Sequence, residues 1–210
     1  MDLKDKIDFY GVFSIKRIDL DGNVIDEYTE KNLITDAARE IMAQSIGGVN
    51  STSVIDKFVL GTKGHVGASI LDPQEVGESD PSKPSGDQIF DASRTLLFSE
   101  SISGSTNYQI PFSIGGGSSE ITTADGTRFD GITPGSAEPG NEIERVVLGR
   151  NLTYTVTIPV ENANPTGSDP AIAYTEAALY AGGNLFSMKT FSGKVKEDTV
   201  KFVISWSIIF

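Results

Sequence analysis

Val200-Lys201-Phe202-Val203-Ile204-Ser205-Trp206-Ser207-Ile208-Ile209-Phe210 carries an apolar residue at every second position. Side chains two apart leave the same face of an extended chain, so Val200, Phe202, Ile204, Trp206, Ile208 and Phe210 share one face. The stretch predicts a strand with that face in a core. Upstream, residues 185–191 read as a second strand, and Gly193 with the charged run 194–198 supplies a turn between the two. The segment 172–210 is therefore expected to close the fold with a hairpin. Chain ends fray unless a sheet ties them down, which makes Trp206, Ile208 and Phe210 the interface candidates of the chain.

The same alternation recurs towards the N-terminus. Leu152, Tyr154, Val156, Ile158 and Val160 alternate with Thr153, Thr155 and Thr157, a half-buried strand with a threonine outer face, and Pro159 suits its end. Residues 143–148 and the set Tyr108, Ile110, Phe112, Ile114 read as further strands, and Leu96-Leu97-Phe98 begins another. Phe58-Val59-Leu60, inside 55–60, is a continuous apolar run, as in a strand covered on both faces. Residues 7–30 form a hairpin: Ile7, Phe9, Phe13 and Ile15 share one parity, and Asp21-Gly22-Asn23 tolerates a tight reversal.

One helix is expected. Thr35 is a good N-cap, Asp36 favours the positive end of the dipole, and Ala38, Ile41, Met42 and Ser45, with Ile46 beside them, follow helical spacing. Gly47-Gly48 stops it after about three turns, too short to stand without packing on the sheet. Two stretches, 61–93 and 115–141, are rich in Gly, Pro, Ser and Asp without periodicity and read as loop excursions. The fold class predicted is mainly β: an antiparallel, β-sandwich-like single domain over 1–210 with one short N-terminal helix and long loops.

Composition narrows function by exclusion. The 210 residues include no Cys and a single His, so disulfide frameworks, thiolate metal sites and a cysteine nucleophile are excluded. The net charge of −12 argues against direct nucleic-acid binding, which needs clustered Lys and Arg. No apolar run reaches the ~20 residues of a membrane helix, and Asp2, Lys4, Asp5, Lys6 and Asp8 leave no room for a secretory h-region. No membrane partner and no cofactor are expected, and the sequence names no reaction.

The candidate sites each have a plainer reading. Asp19, Asp21, Asn23, Glu27 and Glu30 match oxygen positions of a helix-loop-helix calcium loop. Val24 stands where that loop needs glycine, so a hairpin turn with an acidic return strand accounts for the acids better. His65 lies in a Gly-rich stretch with no second His for a metal or a relay. Gly61, Gly64 and Gly67 follow an apolar strand but lack the phosphate-loop spacing and its Lys. Asp72, Glu75, Glu78 and Asp80, and separately Glu142 and Glu144, are the carboxylate clusters, expected as solvated faces among 29 acidic residues. The chain is read as a non-enzyme.

Two stretches carry a family resemblance. Gly11-Val-Phe-Ser-Ile-Lys, Asp21-Gly-Asn-Val, Asn32-Leu-Ile-Thr-Asp-Ala-Ala and Phe58-Val-Leu-Gly-Thr62 together look like the N-terminal pattern of tailed-bacteriophage tail and fibre-associated proteins. Tyr174-Thr-Glu-Ala-Ala-Leu-Tyr180, Asn184-Leu-Phe-Ser-Met-Lys-Thr-Phe191 and Ser205-Trp-Ser-Ile-Ile-Phe210 are similar to the C-terminal pattern of the same group. The resemblance covers roughly half the chain and brings no catalytic residues. It implies a virion structural subunit made in the host cytoplasm, placed in the neck or collar, baseplate or fibre attachment. Its partners would be other virion proteins and further copies in a symmetric ring. A capsid decoration or a receptor- or glycan-binding module is the alternative.

Overall fold

The terminal alternation is a strand, but its neighbours are not those its spacing suggests. The computed structural model describes residues 10–48, 54–61, 65–66, 69–70, 107–113, 119–123, 126–130, 133–134, 140–164 and 172–210. These form β1 (Tyr10–Ile18), β2 (Val24–Ile34), α1 (Asp36–Ile46), β3 (Ile55–Gly61), β4 (His65–Val66), β5 (Ser69–Ile70) and β6 (Asn107–Ser113). They continue through β7 (Ser119–Thr123), β8 (Gly126–Asp130), β9 (Thr133–Pro134), β10 (Glu142–Leu148) and β11 (Asn151–Ile158) to β12 (Ile172–Ala181), β13 (Asn184–Lys196) and β14 (Lys201–Ile209).

β14 lies between β1 and β11, antiparallel to both, with Trp206 opposite Phe13 on one side and Tyr154 on the other. Phe202, Ile204, Trp206 and Ile208 are buried, as their parity requires. Each such side chain contributes roughly 1.5–3 kcal/mol by leaving water. On the outer face Thr153 and Ser207 meet across the strands at 2.8 Å between hydroxyls.

The expected closing hairpin of 185–191 with 200–210 does not form. β13 runs straight through Gly193 to Lys196 and pairs with β12, while β14 joins the other half of the molecule. The charged run stays extended because its ammonium groups find acceptors. Lys194 reaches Asp26 at 3.1 Å, and the buried Lys196 donates to Val160 O, Asn164 Oδ1 and Glu197 O at 3.0, 2.9 and 3.2 Å. The true hairpin is β12–β13, reversed at Gly182-Gly183, both at positive φ.

Twelve strands form one antiparallel sheet in the order β7-β8-β10-β11-β14-β1-β2-β13-β12-β3-β6-β9. Within the sheet's interior the weak joint is between β2 and β13, which share only Leu33↔Met188 and Ile34↔Ser187. There the sheet folds over, and β11-β14-β1-β2 faces β13-β12-β3-β6. Rings meet across the gap: Phe13 stacks on Phe191 at 5.2 Å, and Trp206 meets Phe58 edge-on at 6.4 Å. One cluster of buried apolar side chains draws on both halves. The fold is mainly β, antiparallel and sandwich-like, with one short helix. β3 is covered on both faces as its apolar run predicts: Phe58 and Leu60 enter the main core, and Val59 joins Ala178, Leu185 and Met188 on the other side.

α1 forms where Thr35 allows it. The Thr35 hydroxyl accepts from Ala38 N at 3.1 Å and donates to Leu185 O at 2.7 Å, so one side chain caps the helix and fastens it to β13. Ala38 and Ile41 are buried and Met42 packs half-buried against the core, but the expected apolar stripe ends there: Ser45 is exposed and Ile46 is 89% exposed.

The excursion 115–141 is not loop throughout, for β7, β8 and β9 lie in it. β8 extends the sheet from β10 at Arg145, Val146 and Val147, and β7 pairs with β8. An edge strand offers unpaired backbone groups that recruit segments with no marked pattern of their own. Within 61–93, β4 and β5 pair with each other. The strand beginning at Leu96, the acids Asp72, Glu75, Glu78 and Asp80, and Gly64 and Gly67 lie outside the described residues.

Candidate functional site

The residues singled out by sequence divide between core, turn and surface. Trp206 and Ile208 are 1% and 0% exposed, so the chain's own core covers them rather than a neighbour. The alternation signals burial without telling which layer does the burying. Phe210, one position past β14, is 39% exposed, held by its own N–H donating to Arg150 O at 2.9 Å.

Trp206 instead belongs to a buried polar cluster. Its Nε1 donates to Ser187 Oγ at 3.1 Å, Asn32 Nδ2 donates to the same oxygen, and Ser187 donates to Leu33 O at 2.7 Å. Gly11 lies opposite Asn32 in the β1–β2 register, and a Cβ there would overlap the Asn32 amide. Gly11, Asn32, Ser187 and Trp206 come from the two stretches that carry the family resemblance, and they meet in the centre of the sandwich.

The calcium-loop look-alike is taken apart by the strand that contains it. Asp19 closes the hairpin turn, accepting from Asn23 N at 2.7 Å and Asn23 Nδ2 at 3.1 Å. These bonds hold its carboxyl below the usual range. Glu30 sits seven residues further along β2, roughly 20 Å away at strand rise, and pairs with Lys189 at 2.7 Å. Among the described residues no three His, Cys, Asp or Glu side chains gather as metal ligands. Asp21 stays at the turn, Glu142 and Glu144 lie along β10, and His65 lies in β4.

What the turn does present is apolar. Leu20, Val24 and Ile25 are 68%, 52% and 49% exposed around Asp19 and Asp21. The knob stands at the end of the molecule where Ile18 pairs with Lys201.

The opposite end, where Tyr10 pairs with Ile209, carries a groove. Its volume is ≈ 760 Å³, and its walls come from α1, the start of β3, β10, β11, Phe186 and Phe210. Ile46, Val54 and Phe210 stand exposed on its rim. Leu152 and Tyr154 form the floor, and the register Arg145↔Tyr154 and Val147↔Leu152 brings Arg145 and Val147 onto the same face. Among the described residues, the charged side chains lining it are Arg39 and Arg145. Arg145 hydrogen-bonds the Tyr154 phenol, whose pKa burial nevertheless raises above its ordinary value. The arrangement suits apolar side chains. Sequence reasoning named one of its residues, the interface candidate Phe210, and missed the rest because they are scattered over five elements.

No family model, curated protein or solved structure matches this chain. Among the described residues no helix is long and apolar enough to cross a membrane.

Proposed function

We propose that the chain is a structural subunit of a tailed-phage virion, associated with the neck or collar, baseplate or fibre attachment, and working by protein–protein assembly. The observation that carries this is the apolar groove with exposed Ile46, Val54 and Phe210 on its rim. Contiguous apolar surface of this kind is what an assembly interface covers. The meeting of Gly11, Asn32, Ser187 and Trp206 in one cluster supports the resemblance, since both quoted patterns then describe a single structural unit.

The test is to purify particles of the phage whose genome encodes the chain, measure their protein content by mass spectrometry, and image particles carrying a tagged copy. The expected result is a fixed copy number and a label confined to the tail or neck. Particles that lack the chain, or a purified monomer that turns over a substrate, would end the reading.

A further inference from the structure

At the bend of the sheet, β2 gives one backbone edge to β1 and β13 gives one to β12, while their facing edges pair only at Leu33↔Met188 and Ile34↔Ser187. Along the rest of that seam, charged side chains bridge the strands. Lys189 reaches Glu30 at 2.7 Å, and Lys194 reaches Asp26 at 3.1 Å. Arg17, opposite Asp26 on β1, stands 3.6 Å from the same carboxylate and 3.9 Å from Glu197, and its Nε donates to Val195 O at 3.0 Å. Lys194 also lies over the Tyr28 ring at 5.7 Å. Between the two bridges along the strands come Tyr28 on β2 and Phe191 on β13, their rings 6.0 Å apart, and Phe191 stacks on Phe13 beyond.

We infer that this seam is a charge-held window onto the core, shut while Asp26 and Glu30 are ionised and opened when they are neutralised. The Lys194 and Arg17 side chains are 9% and 17% exposed, and both depend on the Asp26 carboxylate between them. Removing one partner of such a set leaves an uncompensated charge away from water, which costs more than the pair contributed. Parting the strands returns the cations to water and relieves that cost, and Tyr28 and Phe191 then meet solvent. At the second bridge, Glu30 faces Lys189 and Tyr28, both of which hydrogen-bond it. Acid neutralises Asp26, Glu30 and Glu197 while Arg17, Lys189 and Lys194 keep their charge, so acidification opens the window.

Both ends of the window are fixed. At one lie the two ladder pairs, and at the other the Lys196 ammonium ties the end of β13 to Val160 O and Asn164 Oδ1. The strands between can part while the sandwich stays folded, a local opening rather than a global one. The window belongs to the fold and does not depend on the virion reading above.

Hydroxyl-radical footprinting of the full chain reads side-chain exposure residue by residue, and tests this with Asp26→Asn and Glu30→Lys. In the wild type at neutral pH, Phe191 is expected to be as protected as Phe202, which is buried in the other half of the sandwich. Each variant is expected to raise the labelling of Phe191 roughly fivefold or more, the scale on which a lost charge pair moves an equilibrium, while Phe202 stays protected. Taking the wild type to about pH 4, within the carboxylate range, is expected to do the same. Adding Lys189→Glu to Glu30→Lys reverses the bridge and should restore protection, which a purely steric role for Glu30 would not allow. Labelling of Phe191 that stays at the wild-type level in both variants, or protection of Phe191 that survives acid, would overturn the window. So would Phe191 and Phe202 rising together in both variants, or a reversed bridge that stays open.

Discussion

Gly11 shows how much a single atom decides in this fold. It lies beneath the Asn32 amide, which is held by Ser187 and, through Ser187, tied to Trp206. Gly11→Ala is expected to cost about 1–3 kcal/mol, the usual size of overpacking in a closed site. In an Asn32→Ala background the added methyl finds room, so the two changes should be strongly non-additive in urea melts. Additive costs would show that the contact is relieved elsewhere. Glu30 makes the electrostatic case. The hydrogen bond from Lys189 is the main cause that holds its carboxyl below the ordinary 4.5, with Tyr28 adding to it. Its stabilisation is therefore complete above that pH and is lost as pH falls through the lower folded value. The Glu30 side chain is 55% exposed, so the effect stays below about 1 kcal/mol. Wild type should be slightly more stable than Glu30→Gln near neutrality, and the gap should close in acid. A gap that widens in acid would contradict the assignment. The glycine and the two aspartates of the turn were legible in sequence. The partnership of Asn32 with Ser187 was not, because it spans more than 150 residues.

At the scale of elements, the short helix and the loop after β11 depend on single polar side chains. Thr35 both caps α1 and donates to Leu185 O, so Thr35→Ala removes two buried hydrogen bonds together. The expected loss is about 1–3 kcal/mol, with amide exchange rising first in α1. Unchanged exchange there would show that packing alone holds the helix. Lys196 plays the matching part for the turn after Pro159. Its ammonium gathers Val160 O and Asn164 Oδ1, and Asn164 Nδ2 also donates to Val160 O. Lys196→Met keeps the apolar stem but leaves those oxygens without the ammonium, with an expected cost of about 1–3 kcal/mol. Protease cleavage should then begin at 160–164, and cleavage elsewhere first would argue against the link. The helix cap was readable because capping is local. The role of Lys196 was not, because a charge run reads as a turn until its acceptors are placed.

For the whole molecule, the aromatic contacts of Trp206 join the two halves of the folded sheet. It touches Phe13 within its own half, at 4.9 Å, and Phe58 across the gap. As the sole tryptophan it reports on both halves, so its fluorescence and the far-ultraviolet dichroism should fall together in one transition. Trp206→Ala should lower stability by about 3–5 kcal/mol. Separate midpoints would mean that the halves unfold independently. Periodicity alone determined that the chain is β-rich, where β1, β3, β6, β10, β11 and β14 run, and that one helix follows Thr35, because these are properties of neighbours along the chain. Only the tertiary structure decided which strands pair, that β14 crosses to the far half instead of folding back on β13, and that the bend falls between β2 and β13. It alone also showed that Trp206 and Ile208 are covered from within while Ile46 and Phe210 are not. Alternation marks a face that must leave water, and the physics of burial is indifferent to which surface covers it, so the partner is chosen only when distant segments meet.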